Sequence, residues 1–204
     1  MKLNAIKTAC LQENTFLIIN KPDGEQWIGN RHALWPVEGI TLHRGNIPAV
    51  FDLDDKKMEK IDIIVRELYG EDYDSRITRE PMQQEEVLCE VAEACIWHKG
   101  GLYRPIHTED GVMLLDVSLL KPAENKEGFM EFYIRKPTEG GLPTLIACYG
   151  NMFVDGLVLP VEKDTAERIM NAAKVVIEMP LAETNTFDGA PEADVEQTVI
   201  GDGE

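Results

Sequence analysis

Leu34-Trp35-Pro36-Val37-Glu38 and Leu157-Val158-Leu159-Pro160-Val161-Glu162 are two spellings of one phrase. Each closes a longer series in the same order: a strand-like apolar run, a Lys-Pro step (Lys21-Pro22, Lys136-Pro137), a glycine (Gly24, Gly140) and a Gly-Asn pair (Gly29-Asn30, Gly150-Asn151). The copies lie 115 residues apart at Lys-Pro, 121 at Gly-Asn and 124 at Pro-Val-Glu. Insertions in loops between paired strands produce such a drift. The echo therefore points to an α+β chain with two β-rich, antiparallel halves, a pseudo-duplication, and about three helices.

Working outward, Thr15 to Asn20 reads as a strand, Lys21-Pro22-Asp23-Gly24 as a turn and Gln26 to Ile28 as its extended partner. Proline fixes φ and glycine accepts positive φ, which is hairpin chemistry. Ala33 to Val37 and Ile47 to Phe51 read as further short strands. Met58, Ile61, Val65 and Leu68 recur at helical spacing behind the N-cap candidates Asp52 and Asp54, so a helix is expected over about 54–69. Pro81 and the apolar positions Val87, Leu88, Val91, Cys95 and Ile96 suggest a second helix reaching about His98. A β-rich block with strands near 102–107, 112–117, 129–135, 142–149 and 153–160 follows. A last helix is expected over 164–178, with Asp164 and Glu167 in capping-box register. The organisation this implies is an N-terminal half over 1–70 ending in a helix, a polar linker over 71–81, a C-terminal half over 82–180 and an acidic tail over 181–204.

Among 204 residues, 20 are basic and 37 acidic, for a formal net charge of −17. A bare DNA-binding domain normally has the opposite sign. Glu183, Asp188, Glu192, Asp194, Glu196, Asp202 and Glu204 contribute seven of these carboxylates from the tail alone, yet the body remains acidic without them. No apolar run approaches the roughly 18 residues of a membrane span, and Met1 to Lys7 lacks the apolar core of a secretory signal. A cytoplasmic protein without membrane contact is expected, its four scattered cysteines free thiols.

No nucleophile elbow, phosphate loop, dinucleotide fingerprint or zinc-finger spacing is present, so no catalytic residue, metal site or cofactor is assigned and an enzyme is disfavoured. Cys89, Cys95 and His98 form the one potential ligand cluster. On a straight helix Cys89 and Cys95 would sit about 120° apart, too far round to converge. Strand alternation sets Asp116 on the face opposite Met113 and Leu115, toward solvent. Six cations remain as candidate nucleic-acid or anion contacts: Lys56, Lys57, Lys60 and Arg66 as a basic stripe on the expected helix, and Arg31 and Arg44 in Gly-flanked loops beside His32 and His43.

Through Gln26-Trp27-Ile28-Gly29-Asn30, Trp35-Pro36-Val37-Glu38-Gly39 and Gly156-Leu157-Val158-Leu159-Pro160-Val161, the chain resembles proteins carried by prophages and mobile elements of Firmicutes. Residues 112–161 also look like the end of a sliding DNA clamp domain, with Val112 to Val117, Phe129 to Arg135, Leu145 to Tyr149 and Val158-Leu159-Pro160-Val161 in the order of its strands. Clamps are duplicated, acidic and carry basic helices facing DNA. The expected helix after the closing strand, and the acidic 82–98 segment, depart from that pattern. These resemblances imply a non-catalytic binding protein of a phage or mobile element acting in a DNA transaction, with a protein partner or a homo-oligomer and nucleic acid as a further partner. The alternative the charge supports is an acidic inhibitor, or nucleic-acid mimic, that binds a host protein.

Overall fold

The computed structural model describes residues 2–68, 74–82, 86–124, 130–136, 143–150 and 152–178. The tail beyond 178, with its seven carboxylates, and Pro137, Gly140 and Asn151 of the echo lie outside these residues.

Local chemistry builds the first half. Ile6, Ala9 and Cys10 recur at helical spacing and form the buried stripe of α1 (Leu3–Gln12), a helix missed by the sequence reading of a mainly β start. β1 (Thr15–Asn20) is buried along most of its length, as suits a strand flanked on both sides. The Lys21 to Gly24 turn closes as read: Gly24 takes φ +87° and donates to the Lys21 carbonyl at 3.0 Å, and the Asp23 carboxylate accepts from the Glu25 amide at 2.9 Å. β2 (Gln26–Gly29) returns beside β1. Then Asn30 organises the next turn, its Oδ1 accepting from His32 and Ala33 amides at 2.8 and 2.9 Å and its Nδ2 donating to the Ala9 carbonyl at 3.0 Å. A Cβ at Gly29 would stand 1.8 Å from the Ala33 carbonyl oxygen, so the turn admits only glycine there. β3 (Ala33–Pro36) completes an antiparallel meander.

One-turn helices α2 (Ile47–Val50) and α3 (Asp55–Met58) follow, where a strand at 47–51 and a long helix over 54–69 were expected. Asp54 does cap, its Oδ1 accepting from the Lys57 amide at 2.8 Å. The helix then stops, and β4 (Asp62–Glu67) lies parallel to β1. Ile63, Ile64 and Val65 are β-branched, which disfavours helix and favours a pleated surface, and β1 offered an open edge.

The same substitution overturns the second expected helix. β5 (Glu86–Leu88), β6 (Glu90–Val91) and β7 (Ile96–His98) occupy its described portion. The block that follows is read as expected: β8 (Gly101–Thr108), β9 (Gly111–Asp116), β10 (Glu131–Arg135), β11 (Leu145–Tyr149) and β12 (Val154–Val158). Between β9 and β10 sits α4 (Val117–Leu120), and α5 (Lys163–Glu178) closes the described chain. Five helices are thus described against about three expected, three of them single turns.

The α+β class stands, with twelve strands in two sheets. Eight form one sheet in the order β4-β1-β2-β3-β12-β11-β10-β5; β6, β7, β8 and β9 form the other. The first sheet contains both copies of the echo, as the meanders β1-β2-β3 and β10-β11-β12. They meet antiparallel at β3 and β12, with Ala33 facing Val158 and Leu34 facing Leu157. A two-fold axis through that pair generates this order. Following the ladders outward from it equates Ile28 with Ile146, Ile18 with Ile134 and Phe16 with Phe132. The Lys-Pro alignment is therefore one residue out of register. The symmetry ends at the edges, where β4 is parallel to its neighbour and β5 antiparallel.

One apolar cluster on one face joins Ile6, Phe16, Ile18 and Trp35 to Phe132, Ile134, Ile146 and Val158, and reaches Ile106 and Leu115 of the smaller sheet. The opposite face gathers Ile19, Trp27, Tyr149 and Leu157 beneath Ile77. Both clusters draw residues from both halves.

Candidate functional groove

The chain leaves β12 through Leu159, Pro160 and Val161, and Val161 donates to the Leu114 carbonyl of β9 at 2.8 Å. Leu159 likewise donates to the His32 carbonyl at 2.8 Å. These two bonds bring together the β2–β3 turn, the start of α5 and one face of the smaller sheet. The space left between them is a groove of 1180 Å³.

Its lining has an apolar share, from Val112, Met113, Leu159, Val161 and Met170. Val112 is 43% exposed and Met170 37%, so the groove leaves apolar surface open. Its charge is acidic: Glu13, Asp110, Asp116, Glu162 and Glu167 all line it, against Lys163 and the His32 ring. His32 Nε2 lies 3.7 Å from the Glu13 carboxylate. A cavity lined by apolar side chains and carboxylates together suits a cationic ligand that also carries an apolar surface.

Asp116 departs from the expected solvent orientation. It is half-buried and caps α4, its Oδ1 accepting from the Ser118 amide at 2.8 Å, and it stands opposite Tyr103 across the β8–β9 ladder. Side chains still alternate along β9, but the face that carries Asp116 is not open to solvent, since Leu114 and Leu115 are both fully buried. One faces the groove side of the sheet and the other the core.

The six predicted cations are not assembled into one surface. Lys56 and Lys57 lie on α3 and Lys60 just after it, amid Asp54, Asp55, Glu59 and Asp62. Lys57 Nζ pairs with Asp54 at 3.2 Å; hydrogen bonds from the Lys57 amide and side chain hold the Asp54 carboxyl below its ordinary range. Arg66 is exposed on β4, on the face opposite buried Ile63. Arg44 donates through Nη2 to the Ile63 carbonyl at 2.7 Å, tying off the outer edge of the sheet. Its neighbour His43 is used locally, Nδ1 accepting from the Gly45 amide at 3.2 Å. Arg31 is exposed in the β2–β3 turn beside the groove. Among the described residues, no hydrogen bond or ion pair joins Arg31 or His32 to His43 or Arg44. Cys89 lies just past β5 and His98 on β7, so the helical geometry assumed for them with Cys95 does not apply. Among the described residues no three His, Cys, Asp or Glu side chains are placed to hold a metal ion.

The sequence pointed to the groove only at His32, named beside Arg31 as part of an anion-binding loop. Glu167 was noticed as a capping residue and Asp116 as a strand carboxylate, but Glu13, Tyr103 and Glu162 carry no local signal. Their meeting depends on the bonds from residues 159 and 161.

No helix among the described residues is long and apolar enough to cross a membrane. No protein-family description, no curated protein and no solved structure matches the chain.

Proposed function

We propose that this chain is a binding protein whose acidic groove takes a basic amphipathic segment of a partner protein. The observation that carries this reading is the charge of the groove: five carboxylates line it together with apolar side chains, in a chain of net charge −17. Long-range attraction speeds encounter with a basic segment, and burial of apolar side chains on Val112 and Met170 supplies affinity that salt does not screen. The cations suggested for DNA contact are dispersed and interleaved with carboxylates, so they supply no continuous positive track for a phosphate backbone. The alternative of an acidic protein directed at another protein is therefore favoured over a DNA-binding role.

The experiment is fluorescence anisotropy with a labelled peptide that alternates basic and aliphatic residues. The groove reading expects binding that weakens with added salt, and at least roughly a tenfold loss in Glu162→Lys/Glu167→Lys. Both side chains are exposed, so the double variant keeps the fold. Undiminished binding by that variant would remove the groove from the account.

A further inference from the structure

Within this groove, and resting on the reading just given, we infer that the Tyr103 ring and the Asp116 carboxylate form a subsite selecting an arginine guanidinium over a lysine ammonium. Tyr103 on β8 and Asp116 on β9 are partners in the antiparallel ladder, so their side chains project from the same face. Both line the groove, which α5 covers from the other side.

The ring is placed by a missing side chain. A Cβ at Gly101 would meet Tyr103 Oη at 2.6 Å, Cζ at 2.8 Å and Cε2 at 2.9 Å. The ring therefore lies back along its own strand, over Gly101, in space that any other residue would fill. A ring laid against the backbone in this way offers its remaining surface to the groove.

The carboxylate is oriented independently. The Ser118 amide holds Asp116 Oδ1 at 2.8 Å, and among the described residues Oδ2 accepts no hydrogen bond. A planar cation on the ring can donate to that oxygen while its face stays on the aromatic surface. A guanidinium does both, because it is flat, weakly hydrated and carries donors in its plane; an ammonium is compact and strongly hydrated.

Two peptides of one sequence, differing only in Arg against Lys at every basic position, are titrated into the protein by isothermal calorimetry. The arginine peptide is expected to bind roughly three- to tenfold more tightly. In Tyr103→Leu that ratio falls toward one, with the greater loss on the arginine peptide. Gly101→Ala, which displaces the ring without removing it, lowers the ratio too, and Asp116→Asn, which retains the cap, does the same. Circular dichroism on each variant confirms the fold. Equal binding of both peptides by the unaltered protein, or a ratio that survives in Tyr103→Leu and Gly101→Ala, overturns the subsite and leaves the groove standing. Binding of neither peptide overturns the groove itself and the subsite with it.

Discussion

Leu34 stands directly opposite Leu157 where the two meanders join, and each leucine opens the closing phrase of its copy of the echo. The join makes one sheet of the two halves, and a residue of the second half then stabilises the first. Leu157 is 1% exposed and packs with Trp27 and Ile19. Leu157→Ala is expected to cost about 2–5 kcal/mol. In a Trp97→Phe background, which removes the exposed tryptophan of β7, fluorescence reports Trp27 and Trp35 of the first half. In urea, it and far-ultraviolet circular dichroism should fall together in one transition shifted to lower denaturant. A fluorescence midpoint unmoved by this substitution would contradict a shared core.

Arg135 holds a strap across that sheet. Its guanidinium is fully buried and donates to Glu86 at 2.6 Å, to the Thr78 carbonyl at 3.0 Å, to the Glu80 carbonyl at 3.2 Å and to the Arg76 carbonyl. Arg76 in turn reaches the Lys136 and Pro143 carbonyls at 2.9 and 2.8 Å. Arg135→Met leaves Glu86 buried without its cation, and about 3–5 kcal/mol is expected to be lost. Limited proteolysis should then cut at 74–80 first. A variant as resistant as the unaltered protein there would show that Ile77 and the Arg76 and Arg79 bonds hold the strap without Arg135.

Buried weak acids set the response to alkali. Burial pushes the Cys10 thiol from 9.0 up to about 12. Burial also raises the Cys148 thiol, and burial with the bond to Glu86 raises the Tyr149 hydroxyl. At alkaline pH the folded chain keeps protons that the unfolded chain has released. Stability from these groups is thus fully present below about pH 9 and declines as pH rises toward the folded values. Urea midpoints at about pH 8 and about pH 10.5 should show that decline. Cys10→Ser keeps a donor to the Gly29 carbonyl but has nothing to ionise in this range, so its midpoint should fall less. An equal fall would remove Cys10 as a cause.

The strands and turns of the echo were legible because their signals are local: Pro-Asp-Gly closes a turn through its own backbone, and Gly29-Asn30 through one side chain. The register between copies was not, since Lys-Pro lies in loops whose lengths vary, whereas the ladders are fixed by Phe16, Ile18, Phe132 and Ile134 inside strands. The segments at 54–69 and 86–98 fit a helical period and formed strands mainly. Ile63 and Val65 are paired by β1, and Val87 by β10, partners that no local window contains. The groove was illegible for the same reason: Glu13, Tyr103 and Glu167 are distant in sequence, and residues 159–161 bring them together. The stripe of Lys56, Lys57, Lys60 and Arg66 depended on one helix, which α3 and β4 replace.

The measurement that tests the groove most directly is a two-dimensional amide NMR titration of the unaltered protein with the basic amphipathic peptide. The account predicts shifts concentrated at Tyr103, Val112, Asp116, Glu167 and Met170, fading as salt is raised. Shifts absent from these residues, or gathered instead around Lys56, Lys57 and Lys60, would contradict it.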